Sequence, residues 1–213
     1  MSGRAEAQML VECGVDFLGF PLRIDVHDED ISEEGAGEII RSLLPPHFGV
    51  LITYLSTARD ITSLCETLGA SIVQLHGQVA SAELVRLRKT LPLLRIIKSI
   101  VIHEGAELPT RVIDEMGDFV DTFILDTFDP ATGASGATGK THDWQLSRRI
   151  VEYSPHPVIL AGGLTPENVG DAIRQVRPAG VDVHTGVENA DGHKDRGRVQ
   201  AFVARAREAF AQA

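Results

Sequence analysis

The stretch from Pro157 to Glu188, PVILAGGLTPENVGDAIRQVRPAGVDVHTGVE, holds two short apolar runs, each ending in a turn that contains glycine. Gly162 and Gly163 follow the first run, and Thr185 and Gly186 follow the second. A strand that stops where a helix starts presents unpaired backbone N–H groups at the positive end of the helix dipole, and glycine lets an anion come close. Thr165 reads as the N-cap of that helix, with Pro166 at its first position and Glu167 behind it. Two such cradles, one helix apart, suit a single phosphate held between them. Other groups with chemical potential also follow apolar runs. A carboxyl at Asp126 would have its pKa raised by burial, which makes an acid near neutral pH. The imidazole of His184, beside the second cradle, could take a proton. Arg23 offers a planar fork suited to a carboxylate.

These residues need a scaffold that brings strand ends together. A strand, a helix and a parallel strand within about 30 residues make a βαβ unit, and the pattern recurs along the chain. The expected helices are Arg4 to Gly14, Ile31 to Leu44 with Ser32 as cap, Ser56 to Leu68, Ala80 to Leu91, Glu104 to Met116 with Pro109 interrupting it, Trp144 to Tyr153 capped by Asp143, and Arg196 to Phe210. Strands are expected at Val15 to Leu22, Phe48 to Leu55, Ile72 to Leu75, Arg95 to Val101, Val120 to Leu125, Pro157 to Ala161 and Gly180 to His184. The last pair of cradles matches the phosphate site that (β/α)8 barrels build after strands seven and eight. The pattern gives seven strands where a closed barrel has eight, and the chain starts on a helix. Between Asp126 and Asp143 the segment TFDPATGASGATGKTH is too long and too rich in Gly and Thr for a plain connector, and is expected to be an active-site loop.

Composition fits one domain spanning residues 1–213, since 43% hydrophobic content in 213 residues can bury one sizeable core. No apolar run is long enough for a membrane span, and no secretion signal opens the chain, so a cytoplasmic protein without a membrane partner is expected. The formal charge of −10 argues against non-specific nucleic-acid binding. Cys13 and Cys65 fall in expected helices without metal-type spacing and read as buried thiols.

Five segments carry a family resemblance: VQLHG (Val73 to Gly77), LDT (Leu125 to Thr127), GATGKTHDW (Gly136 to Trp144), LAGGLTPENV (Leu160 to Val169) and GVDVHTGVE (Gly180 to Glu188). In order and spacing they resemble the signatures of phosphoribosylanthranilate isomerase, from about Arg4 to the C-terminus. The resemblance implies a (β/α)8 TIM barrel of the α/β class, acting in tryptophan biosynthesis on a phosphosugar substrate, with no metal and no organic cofactor. The reaction it implies is the Amadori rearrangement of N-(5-phosphoribosyl)anthranilate to 1-(2-carboxyphenylamino)-1-deoxyribulose 5-phosphate. It places Asp126 as the general acid, Arg23 on the substrate carboxylate, His76 and Asp182 along the sugar, and Gly162, Gly163, Thr185 and Gly186 around the phosphate.

Two departures from the family pattern matter. Members begin with a strand of the type KICG whose cysteine is the general base, and this sequence starts at MSGRAEAQ, where the following helix should already be starting. Strand one and its thiol are therefore expected to be absent from this sequence, and Cys13 and Cys65 lie toward the wrong end of their helices to replace the thiol. The second departure is His184, where the family usually has serine, which makes its imidazole a candidate substitute base. A missing strand would expose sheet edges, which can pair in a homo-oligomer. Two other readings follow from these departures. One is a phosphosugar-binding barrel without isomerase activity. The other is a metal-dependent sugar-phosphate enzyme using His27, His76 and His103 with Asp25, Asp28 and Glu29.

Overall fold

The computed structural model describes residues 2–24, 30–103, 105–129, 134–135 and 143–212. The chain divides into two compact units, Met1–Lys98 with Asp118–Asp121, and Ser99–Gly117 with Thr122–Ala213.

In the first unit helices and strands alternate: α1 (Arg4–Glu12), β1 (Phe17–Pro21), α2 (Glu33–Ser42), β2 (Phe48–Thr53), α3 (Ala58–Leu68), β3 (Ile72–Leu75), α4 (Ser81–Thr90) and β4 (Arg95–Ile102), whose start closes the sheet of this unit. β1 pairs in parallel with β2 from Phe17↔Phe48 to Pro21↔Ile52, β2 with β3 from Leu51↔Val73, and β3 with β4 from Ile72↔Arg95 to Leu75↔Lys98. Side-chain hydroxyls start two of the helices: Ser32 accepts from Gly35 N–H at 3.2 Å, and Thr57 from Asp60 N–H at 3.2 Å. α3 turns Ile61, Leu64 and Leu68 inward at helical spacing, where they are fully buried with Phe20, Leu51, Val73 and Leu75 of the sheet. Each such side chain contributes roughly 1.5–3 kcal/mol by leaving water.

The second unit contains α5 (Thr110–Met116), β5 (Thr122–Asp129), β6 (Ala134–Ser135), α6 (Trp144–Tyr153), β7 (Val158–Leu160), α7 (Val169–Val176), β8 (Gly180–Val181) and α8 (Arg196–Gln212). β5 pairs with β7 in parallel through Leu125↔Leu160, β7 with β8 through Leu160↔Val181, and β6 runs antiparallel to β5. This register sets Asp126, Ala161 and Asp182 one step beyond the same row of pairs, so their neighbours emerge on one edge. Two further ladder bonds fix that step, Ala161 N–H to Leu125 O at 2.8 Å and Asp182 N–H to Leu160 O at 2.9 Å.

Several boundaries differ from the sequence expectation. α5 starts at Thr110 because Pro109, at φ −80°, can begin a helix but cannot donate inside one; Glu104 lies outside the described residues. α7 starts at Val169 because Thr165 to Asn168 form a turn of their own. There Thr165 Oγ1 accepts from Glu167 N–H, and Asn168 Oδ1 accepts from Thr165 N–H. The helical ladder nevertheless begins at Thr165, whose carbonyl takes Val169 N–H at 3.0 Å. β8 ends at Val181, since Asp182 makes the last ladder bond and a 3-10 turn, Thr185–Val187, follows. The long loop expected after Asp126 lies largely outside the described residues. Among the described residues seven strands pair in parallel, and none precedes α1.

Asp121 ties the sheet of the first unit to α4. It accepts from Arg88 Nη2 at 2.6 Å, Arg95 Nη1 at 2.9 Å and the Ile96 N–H at 2.8 Å. Burial pushes this carboxyl up, but the bonds from Arg88, Ile96 and Arg95 outweigh it and hold the group below the ordinary carboxylate value. A depressed pKa contributes stability that is present above the unfolded value, near 4, and is lost as pH falls through the folded one. Asp121→Asn is therefore expected to cost about 1–2 kcal/mol near pH 7. Melting curves of both proteins should converge as the pH drops below about 4.

Candidate functional site

In the second unit one pocket is lined by Asp126, Ala161, Gly162, Gly163, Leu164, Asp182, Val183, His184, Thr185 and Gly186. Seven of the nine residues singled out in the sequence as functional meet here: Asp126, Gly162, Gly163, Asp182, His184, Thr185 and Gly186. The chain reaches this shape only with glycine at three points. Gly162 and Gly163 take φ of 85° and 63°, in the left-handed region. A Cβ on Gly186 would fall 1.9 Å from the Leu164 carbonyl oxygen, so the two loops touch backbone to backbone. Among the described residues the N–H groups of Gly162, Gly163, Thr185 and Gly186 donate to no protein acceptor. Donors left open at one concavity are what an anion's oxygens need.

Asp126 is buried, and its Oδ1 accepts from the Thr127 N–H at 2.8 Å. Burial raises its pKa, and the Thr127 bond offsets only part of that. Asp182 is pushed up to about 6, first by the protein packed around it, then by the charge of Asp126, against the lowering effect of Lys194. It keeps exposed surface, so water reaches it from the open side while the rest of its surroundings are protein. Two carboxyls that repel each other's charge in one pocket favour a state in which one carries a proton.

His184 is half exposed, and its Nδ1 lies 3.2 Å from Glu188 Oε1. The same carboxylate oxygen accepts from Lys194 Nζ at 2.6 Å.

The remaining two residues belong to the first unit. Arg23 follows β1 at φ 51°, a strained conformation for a residue with a side chain. Its Nε and Nη2 donate to the two carboxylate oxygens of Glu33, at 2.8 and 3.2 Å. The fork thus already grips a carboxylate, as its geometry allows. His76 follows β3, its N–H bonded to Thr53 O at 3.0 Å and its ring 4.9 Å from that of Tyr54.

Lys98 is a residue the sequence reading passed over. It is buried on β4, its Nζ donates to the carbonyls of Leu75 and Gly77 at 3.1 and 3.0 Å, on either side of His76, and burial pushes it down to about 8. A lone lysine in the apolar strand RIIKSIVI was the available signal.

Asp25, His27, Asp28 and Glu29, weighed as metal ligands, lie outside the described residues. Among the described residues no group of three or more His, Cys, Asp or Glu is placed to hold a metal ion, and no helix is long and apolar enough to cross a membrane.

The N-(5'phosphoribosyl)anthranilate (PRA) isomerase family profile matches residues 8–205. The chain belongs to the phosphoribosylanthranilate isomerase family. It is 43% identical over 210 residues to N-(5'-phosphoribosyl)anthranilate isomerase 2 of Methanosarcina mazei, covering 96% of this chain and 90% of that one. The solved phosphoribosylanthranilate isomerase of Pyrococcus furiosus matches with a TM-score of 0.81 at 26% identity, over 98% of this chain and 96% of that one. An isomerase solved with reduced 1-(o-carboxyphenylamino)-1-deoxyribulose 5-phosphate matches at TM-score 0.79 and 27% identity, over 98% and 95%. The fold is that of this family, a (β/α)8 barrel of the α/β class.

The raised Asp182 pKa has a measurable consequence for a phosphoribosylanthranilate isomerase barrel. A carboxyl with a folded value near 6 and an unfolded value near 4 destabilises the protein above the folded value and costs nothing below the unfolded one. Asp182→Asn is expected to melt higher than the wild type at pH 8, by on the order of 1 kcal/mol after screening at its exposed side, with the gain gone near pH 4.

Proposed function

We propose that this chain is an isomerase that converts N-(5-phosphoribosyl)anthranilate to 1-(2-carboxyphenylamino)-1-deoxyribulose 5-phosphate, without a cofactor. The observation that carries the reading is one pocket lined both by the buried Asp126 and by four residues whose backbone N–H groups, among the described residues, donate to no protein acceptor. The N–H groups of Gly162, Gly163, Thr185 and Gly186 bind the phosphate, a mode of binding that depends on backbone and not on side-chain identity.

Asp126, its pKa raised by burial, gives its proton to the furanose ring oxygen, and the ring opens to a Schiff base between C1 and the aryl nitrogen. A base then removes the C2 proton, which leaves an enolamine, and protonation at C1 with formation of the C2 carbonyl gives the ketose. His184 is the candidate for this base. Pairing of Nδ1 with Glu188 favours the tautomer whose lone pair sits on Nε2. Asp182, raised by its surroundings, can donate to a sugar hydroxyl while protonated. Arg23 is assigned the anthranilate carboxylate, for which Glu33 is the resident substitute, and His76 is assigned to the sugar.

Steady-state turnover of freshly generated phosphoribosylanthranilate, followed by loss of anthranilate-type fluorescence, tests the proposal. Asp126→Asn is expected to lower kcat by on the order of 10² to 10⁴ while inorganic phosphate still binds by calorimetry. Turnover close to wild type in that variant would remove Asp126 from the mechanism. Arg23→Met should raise KM by about tenfold or more and leave phosphate binding alone, since a bidentate charged contact is worth roughly 1.5–3 kcal/mol.

A further inference from the structure

The turn that carries Thr185 and Gly186 is held from behind. The carbonyl of His184 accepts from Lys194 Nζ at 3.0 Å, and that of Thr185 from the Glu188 N–H at 3.1 Å. Arg198 donates from both Nε and Nη2 to the carbonyl of Gly186, at 3.2 and 2.9 Å, and the Asp195 N–H donates to that of Val187 at 2.8 Å. Four successive carbonyls thus have donors. In a trans peptide the N–H points away from the carbonyl of its own plane. Lys194, by holding the His184 carbonyl, therefore fixes the direction of the Thr185 N–H. Arg198 fixes the plane on the far side of Gly186, whose near side is pressed against Leu164.

Both cations are themselves anchored. Lys194 is mostly enclosed, 11% exposed, against Glu188 at 15%, and their ion pair measures 2.6 Å. Arg198 sits on α8 with Nη2 3.8 Å from Glu167 in the opposite loop, and Arg205, further along α8, donates to the Pro166 carbonyl of that loop at 2.6 Å. Helix α8 and the residues just before it therefore reach both halves of the cradle.

We infer that Lys194 and Arg198 are positioning residues for phosphate: neither lines the pocket, Lys194 sets the Thr185 N–H by gripping the His184 carbonyl, and Arg198 braces Gly186 by gripping the carbonyl in the plane that follows it. The inference rests on the reading of that turn as a phosphate cradle. A residue acting this way affects binding of the phosphate end and leaves proton transfer at C1 and C2 largely untouched. A residue serving only stability would lower the melting temperature without altering phosphate affinity in the folded protein.

The test measures inorganic phosphate binding by calorimetry, kcat and KM for phosphoribosylanthranilate, and thermal melting, on Lys194→Met, Arg198→Met, Arg198→Lys and Gly186→Ala. In both methionine variants the Kd for phosphate and the KM should rise about tenfold; kcat should change by less than about threefold in Arg198→Met, while Lys194→Met is read by phosphate affinity, since Lys194 also holds Glu188 beside His184. Arg198→Lys, which keeps one charged donor, should recover most of the affinity. The loss in Lys194→Met should persist from 0.05 to 0.5 M salt (roughly 14 to 4 Å screening length), because it reports donor direction and not long-range charge. If Lys194→Met does not fold, Glu188→Gln, which releases the ammonium from outside the turn, should raise Kd about threefold. Phosphate affinity within twofold of wild type in the folded methionine variants, with binding lost in Gly186→Ala, would overturn the inference and leave the cradle standing. Wild-type affinity in Gly186→Ala would overturn the cradle and the inference together.

Discussion

Four backbone N–H groups that no acceptor among the described residues satisfies, at Gly162, Gly163, Thr185 and Gly186, are the constraint on which the rest of the second unit depends. An unpaired donor is tolerable where water or a ligand can reach it and costly where neither can, so the loops must stay at an open edge. The parallel register of β5, β7 and β8 supplies that edge, because it brings Asp126, Ala161 and Asp182 out of the ladder at the same level. Short strands then serve the site better than long ones: β8 stops after two residues, and the turn that follows is free to close against Leu164.

The electrostatics follow from the same arrangement. A chain with a formal charge of −10 has no general attraction for an anionic substrate, so attraction must be local. Backbone dipoles provide it without introducing a cation beside Asp126, whose proton a nearby ammonium would tend to displace. The cations of this region stand behind the turn, Lys194 on the Glu188 carboxylate and Arg198 on the Gly186 carbonyl. Asp126 and Asp182, both raised, hold a proton more tightly than isolated carboxyls would.

Much of this was legible in the sequence, for identifiable reasons. Helices with polar caps were read closely: α3 behind Thr57 and α6 behind Asp143 stop within two residues of expectation, since capping is a local interaction that leaves a local signature. The glycines after the two apolar runs announced the cradle because few other reasons put glycine after an apolar run and before a helix. What the sequence withheld depends on partners far away in the chain. The fork of Arg23 closes on Glu33, ten positions along, and Lys98 finds its acceptors at and just past the end of β3, more than 20 positions back. Neither contact has a periodicity to betray it. The early end of β8 was missed because a strand ends where its neighbour's last acceptor lies, and Leu160 belongs to β7.

The contact between Gly186 and the Leu164 carbonyl also bears on how this site can change over generations. With no room for even a methyl group, nineteen of the twenty amino acids are closed to that position, and the neighbouring glycines at positive φ are nearly as confined. Evolution therefore cannot tune the phosphate end by small steps at Gly186 itself; there it can keep the grip or lose it. His184, half exposed and 3.2 Å from a Glu188 oxygen, has no such restriction on its side chain. Novelty in this lineage should collect in side chains around a fixed backbone grip, so that new substrates arrive still carrying the same phosphate handle.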